Sequence, residues 1–170
     1  SEGAEPVLVR GEDFGVESAR LAIGGQVVNL WGPHGHHREV YLPMYGSGQA
    51  DNAAAALTAV EVFLGGRLGD DVVAEGLGNI VLPGRMEVLA RHPLVVVDGA
   101  HNKDAAKHLA SAIPGAFTSS RLILVLGVLK PHDPTEIIDE LLVLSPDVVV
   151  TCTAPSGRAV PAELLAAAVA

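Results

Sequence analysis

The spacing of apolar and polar residues along this chain first changes period near Gly48. Before that point the runs are short. PVLVR (6–10), SARLAI (18–23), QVVNLW (26–31) and REVYL (38–42) have the length and β-branched content of strands. Gly24-Gly25 between two such runs is a hairpin signal, and REVYL is placed to pair with QVVNLW across the loop GPHGHH. A β-meander is expected. After Gly48, QADNAAAALTAVEVFLG sets Ala53, Ala56, Leu57, Val60 and Leu64 on one face at helical spacing, and Gly65-Gly66 ends that helix. A second helical stretch, roughly 70–78, leads to Leu82-Pro83-Gly84, the expected domain boundary.

Beyond Gly84 strands and helices alternate. RMEVLA (85–90) and PLVVVD (93–98) read as strands, and 102–113 as a helix with Ala105, Ala106, Leu109 and Ile113 inward. RLILVLG (121–127) is a strand, and 135–144 a helix with Ile138, Leu141 and Leu142 together. DVVVT (147–151) is a strand and 162–170 a helix. Continuous aliphatic strands alternating with helices predict parallel βαβ units with helices on both faces. Ligands of such sheets bind beyond the C-terminal ends of the strands. The segments 98–102, 127–133 and 151–158 all follow strand ends, so they should converge on one rim.

Composition narrows the function. Hydrophobic residues make up 49% of the 170, aromatics only 4%, so the core must be built from Ala, Val, Leu and Ile. The formal net charge is −9 with no Lys/Arg cluster, which argues against a nucleic-acid partner. A nucleotide remains compatible, because backbone N–H groups and one or two Arg hold it locally. One cysteine, Cys152, makes an internal disulfide impossible and fits a reducing compartment. No apolar run is long enough to span a bilayer, and SEGAEPVLVRGED has neither the basic nor the apolar region of a signal peptide. A cytoplasmic protein is expected.

Four stretches carry candidate chemistry. In Asp98-Gly-Ala-His101-Asn102, a carboxylate at a strand end is suited to a ribose diol, and Gly99 and Ala100 would let a ligand approach the backbone. Asn102 also suits a helix N-cap, which would explain it without any ligand. In Pro83-Gly84-Arg85, an Arg at a hinge could reach a phosphate, or simply be solvated. In Gly46-Ser-Gly-Gln49-Ala-Asp-Asn52, Gln49 and Asn52 share a face at a helix start, where two amides could read a heterocycle edge or serve as ordinary caps. His34, His36 and His37 suggest a metal, but no second-shell pattern accompanies them and a solvated hairpin loop is expected. Lys130, His132, Asp133 and the 151–158 segment add polar groups on the rim. There is no GxSxG, HExxH or CxxC, and DGAHN lacks the G-x-G-x-x-G of a dinucleotide fold.

Taken in order, GSGQADNAAAALTAVEVFL, LPGRMEVL, VVVDGAHNKDAA, LGVLKPHD and VVVTCTAPSGRAVPAELL resemble the C-terminal half of bifunctional folylpolyglutamate synthase/dihydrofolate synthase, in the Mur ligase superfamily. The resemblance implies an α/β fold: a Rossmann-like C-terminal domain with a mainly parallel sheet flanked by helices, preceded by a β-meander and helix from the end of a central ATPase domain. It divides the chain into 1–66, a linker at 67–83, and 84–170, the last domain truncated. It implies ATP and Mg²⁺, L-glutamate, and folate or dihydropteroate, joined through an acyl phosphate, and a monomeric protein with no nucleic-acid or membrane partner. By motif, Asn52 should lie near adenine, Arg85 near the phosphates, Asp98 at the ribose and His101 by the phosphates and acyl phosphate. Ser156 and Arg158 should face the glutamate. No metal ligand is assigned in this chain. The chain departs from the family at Gly48, where a His usually precedes Gln49, and nowhere contains GxxxxGK[ST]. An internal fragment, or a decayed or divided copy, inactive alone, is therefore expected, with a non-catalytic nucleotide-binding or interaction module as the alternative.

Overall fold

A computed structural model describes residues 5–170; the first four residues of the expected 1–66 segment lie outside it. The chain forms two compact units, one ending at Leu89 and the other spanning Ala90–Ala170.

In the first unit, β1 (Gly15–Ala22), β2 (Gly25–Gly32) and β3 (Gly35–Leu42) form an antiparallel meander with β2 central. The hairpins close at Ala22↔Gly25 and Gly32↔Gly35, so both loops are two residues long and the second is only Pro33-His34. Glycine is obligatory at 25: a Cβ there would sit 2.2 Å from the Leu42 carbonyl oxygen. Alternation puts Val28 and Leu30 of β2 fully inside, with Val40 and Leu42 of β3 beside them. Helix α1 (Ser47–Leu64) lays Ala50, Ala53, Ala54 and Leu57 on this sheet, and α2 (Asp70–Gly78) adds Val73. Small alanines let the helix lie close to the sheet. Gly65 ends α1 in the left-handed conformation, with its N–H and that of Gly66 on the carbonyls of Val62 and Glu61.

Two expectations are corrected here. PVLVR is not a strand: Val7 and Val9 are exposed, and among the described residues its pairing is an isolated bridge, Arg10↔Phe14. The Asp13 carboxylate accepts the Val9 N–H at 2.7 Å, while the Val9 carbonyl accepts from the N–H groups of Glu12 and Asp13. A turn consumes the backbone groups that a strand would have used. The buried face of α1 is also rotated from the one expected. Ala56, Val60 and Leu64 are exposed, whereas Thr58 and Glu61 are inside. A polar pattern at 58 and 61 hid the true face, because Glu61 is buried against partners distant in sequence.

Strand β4 (Glu87–Arg91) runs across the division at Leu89 and forms a two-stranded sheet with β5 (Leu94–Val97). Helix α3 (Lys103–Ala116) follows, then β6 (Ile123–Leu126), α4 (Pro134–Leu142), β7 (Val148–Thr151) and α5 (Ala162–Val169). β6 and β7 are parallel, in register from Ile123↔Val148 to Leu126↔Thr151. Their core is Leu126, Val128, Ala106, Ile137, Ile138, Leu141, Val160 and Leu165, supplied by all three helices. The mixed α/β class is as expected, but the sheet is not continuous and the helices do not cover both faces. Among the described residues β5 is bonded to its near neighbour β4 across His92-Pro93, not to β6. Leu124 and Leu126 face the helices, while Ile123, Val125, Val148 and Val150 on the other side are 37–66% exposed.

Candidate functional site

Each strand–helix junction of the second unit ends in a local polar turn. After β5, the Asp98 carboxylate accepts the Ala100 N–H at 2.7 Å, which folds the chain back and fixes that carboxylate at the strand end. His101 Nδ1 donates to the Gly99 carbonyl at 2.9 Å; a carbonyl can only accept, so this nitrogen must carry the proton. Asn102 Oδ1 accepts the Ala105 N–H at 2.8 Å and caps α3, the capping role the sequence allowed. After β6, Asp133 caps α4 in the same way through the Thr135 N–H at 2.9 Å. After β7, Ser156 Oγ accepts the Arg158 N–H at 3.2 Å, so its hydroxyl braces the turn that displays the Arg158 side chain.

These turns meet. The Lys130 N–H donates to the Arg158 carbonyl at 2.8 Å, and Leu129 bridges Ala159, tying the β6 and β7 loops together. The His132 ring packs edge-on against His101, with centroids 5.2 Å apart and planes at 62°. A cleft of about 260 Å³ lies beside them, lined by Asn102, Lys103, His132 and Glu136 among others. Asp98 is partly buried; His101, Ser156 and Arg158 are exposed. The expected convergence of the 98–102, 127–133 and 151–158 segments therefore holds within this unit.

Asn52 and Arg85 belong to the first unit. Asn52 is exposed in the second turn of α1, whose start at Gly46 has no side-chain cap. Nearby Asp51 is engaged by Arg10. Arg85 is exposed between two residues with positive φ, Gly84 (69°) and Met86 (47°), in a turn where the Gly84 N–H donates to Glu87 at 2.8 Å. Buried Met86 anchors this turn and leaves Arg85 displayed.

The histidine cluster needs correction. His34 lies in the two-residue turn and His36 is exposed on β3, but His37 is 1% exposed and no part of a solvated loop. Its Nε2 meets Glu61 Oε1 at 2.9 Å, and its Nδ1 meets Asp70 Oδ1 at 2.9 Å. Glu61, also 1% exposed, accepts the Leu68 N–H at 2.7 Å as well. Arg67 bonds both Asp70 at 2.5 Å and the His36 carbonyl at 2.8 Å. The His37 hydrogen bond, then Arg67, hold the Asp70 carboxyl below its ordinary range. The carboxylates occupy opposite ring nitrogens, so they cannot share one ion with the imidazole. Among the described residues, no group of three or more His, Cys, Asp or Glu is placed to hold a metal. This network is a structural joint between β3, α1 and α2. Its one sequence signal was a Glu among the apolar residues of VEVF.

The family model described as "Mur ligase, glutamate ligase domain" matches residues 84–170. The chain belongs to the Mur ligase family. This Mur ligase chain is 38% identical over 160 residues to a dihydrofolate synthase/folylpolyglutamate synthase of Mycobacterium tuberculosis, an alignment covering 92% of the chain and 33% of that protein. A solved structure of Mycobacterium tuberculosis folylpolyglutamate synthase complexed with ADP superposes with a TM-score of 0.91 at 38% identity, covering 94% of this chain and 36% of the other. The Thermotoga maritima folylpolyglutamate synthase gives 0.75 at 27% identity, covering 95% and 38%. The chain thus spans about a third of the length of the curated relatives it matches.

Proposed function

We propose that this chain is the nucleotide-facing C-terminal portion of an ATP-dependent ligase that joins L-glutamate to folate or dihydropteroate. The observation that carries the reading is the 38% identity, over nearly the whole chain, to a folylpolyglutamate synthase solved in complex with ADP. The proposed division is a central-domain end at 1–66, a linker at 67–83 and a C-terminal domain from 84.

In the reaction a substrate carboxylate oxygen attacks the γ-phosphorus of ATP and ADP departs. The amine of glutamate then attacks the acyl carbon, phosphate leaves, and the amine loses a proton. Such chemistry depends chiefly on positioning and charge stabilisation. Asp98, its orientation set by the Ala100 N–H, is assigned to the ribose hydroxyls. Arg85, displayed between Gly84 and Met86, is assigned to the phosphates, and Asn52 to the adenine edge. His101, with Nδ1 committed to Gly99, is assigned through Nε2 to the phosphates and the acyl phosphate. Arg158 and Ser156 are assigned to the glutamate. Among the described residues no group of three or more His, Cys, Asp or Glu is placed to hold a metal, so the reading assigns Mg²⁺ no ligand among them. Lacking GxxxxGK[ST], the 170 residues alone are proposed to bind nucleotide without turnover. No described helix is long and apolar enough to cross a membrane, and the single, unpaired Cys152 supports a cytoplasmic setting.

Calorimetric titration of the chain with ADP tests this. Saturable binding, weakened about tenfold by Asp98→Ala through loss of a charged hydrogen bond, is expected. No binding up to millimolar ADP would refute it.

A further inference from the structure

We propose that His132 is a positioning residue for His101, holding the imidazole that the functional reading places at the phosphate side. That reading supplies the importance of the contact; the contact itself stands on geometry. His101 is exposed, and among the described residues its one polar bond runs from Nδ1 to the Gly99 carbonyl, 2.9 Å away and two residues back. An exposed hydrogen bond of this kind competes with water, and a neutral imidazole in water prefers its proton on Nε2. Left alone, the ring would exchange tautomers and turn. His132 packs on it edge-on at 5.2 Å and limits that turning.

His132 is itself well placed to serve as a prop. It is half-buried in the loop between β6 and α4, and the loop is pinned on both sides. Before it, the Lys130 N–H is bonded to the Arg158 carbonyl; after it, Asp133 caps α4 through Thr135. The two loops keep their separation because α3 and α4 pack through Ala106, Ile137 and Ile138, with Lys103 and Glu136 3.6 Å apart at the surface. The ring of His132 therefore rests on a framework of helix packing, while His101 rests on His132. The consequence is an Nδ1–H tautomer whose Nε2 points away from Gly99 and is available to a ligand.

Long-range ¹⁵N–¹H correlation of the ¹⁵N-labelled chain above the histidine titration range reads the tautomer directly, with the His101 signals assigned by their loss in His101→Gln. The wild type is expected to show His101 predominantly as Nδ1–H. His132→Ala should shift it to a mixture dominated by Nε2–H, and His132→Phe, which keeps an aromatic edge, should restore the wild-type pattern. An unchanged tautomer in His132→Ala overturns the proposal, as does equal loss in the Ala and Phe variants. Unperturbed amide signals from Ala106, Ile137 and Leu165 report that each variant is folded. ADP titration of His101→Gln is a separate arm: wild-type affinity there removes the phosphate-side role of His101 and leaves the tautomer result standing.

Discussion

Replacing His37 with alanine takes the imidazole from the buried Glu61 carboxylate and leaves it, among the described residues, the Leu68 N–H. With 1% of each side chain exposed, water cannot take the imidazole's place without opening the joint between β3, α1 and α2. Removing one partner of a buried charged pair costs about 3–5 kcal/mol, because the remaining charge is uncompensated. Asp70 adds little to this figure, since its side chain is 70% exposed and Arg67 still holds it. Urea unfolding followed by fluorescence suits the test: the chain has one tryptophan, Trp31 in β2, so the signal reports the first unit. His37→Ala should lower its stability by about 3–5 kcal/mol. The double variant His37→Leu/Glu61→Leu removes both hydrogen-bonding partners together. It should be about 1–3 kcal/mol more stable than His37→Ala, although the Leu68 N–H loses its acceptor. A His37→Ala effect under about 1 kcal/mol, or losses in His37→Leu and Glu61→Leu that simply add in the double variant, would refute a coupled buried network.

Three further outcomes follow from the fold. Asp70 is held below the ordinary value of 3.8, so its contribution is present above that pH and lost as pH falls through the lowered value. The urea midpoints of wild type and Asp70→Asn should therefore differ near neutrality and converge below pH 3.8, and a gap independent of pH would contradict the pairing. Gly25→Ala should destabilise the meander by more than about 1 kcal/mol, since its Cβ would meet the Leu42 oxygen; Trp31 fluorescence in urea measures it. Asn102→Ala should cost about 1 kcal/mol of second-unit stability by uncapping α3, read as faster amide exchange at Ala105 and Ala106, while Asn102→Asp should retain the cap.

How far the chain could be read in advance depended on whether partners were close in sequence. The meander, both hairpins, the Gly65 stop of α1 and the cap at Asn102 arise from contacts a few residues apart, and period and turn chemistry encode such contacts. The turn at Asp98–Asn102 was legible for the same reason: strand, carboxylate, imidazole and cap lie within one short segment. PVLVR was misread because its composition suits a strand while Asp13, a few residues on, captures its backbone. The face of α1 and the burial of His37 were hidden for a different reason. Glu61 and His37 look like surface residues until the meander and two helices set them 2.9 Å apart.

Sequence alone thus determined the order of elements, the local turns and the residue types offered at the rim, because hydrophobic period and capping act over a few residues. Tertiary structure alone decided which polar groups face inward, that β5 does not join β6, and that His132 reaches His101. Those outcomes depend on which distant segments pack together, and no local pattern records it.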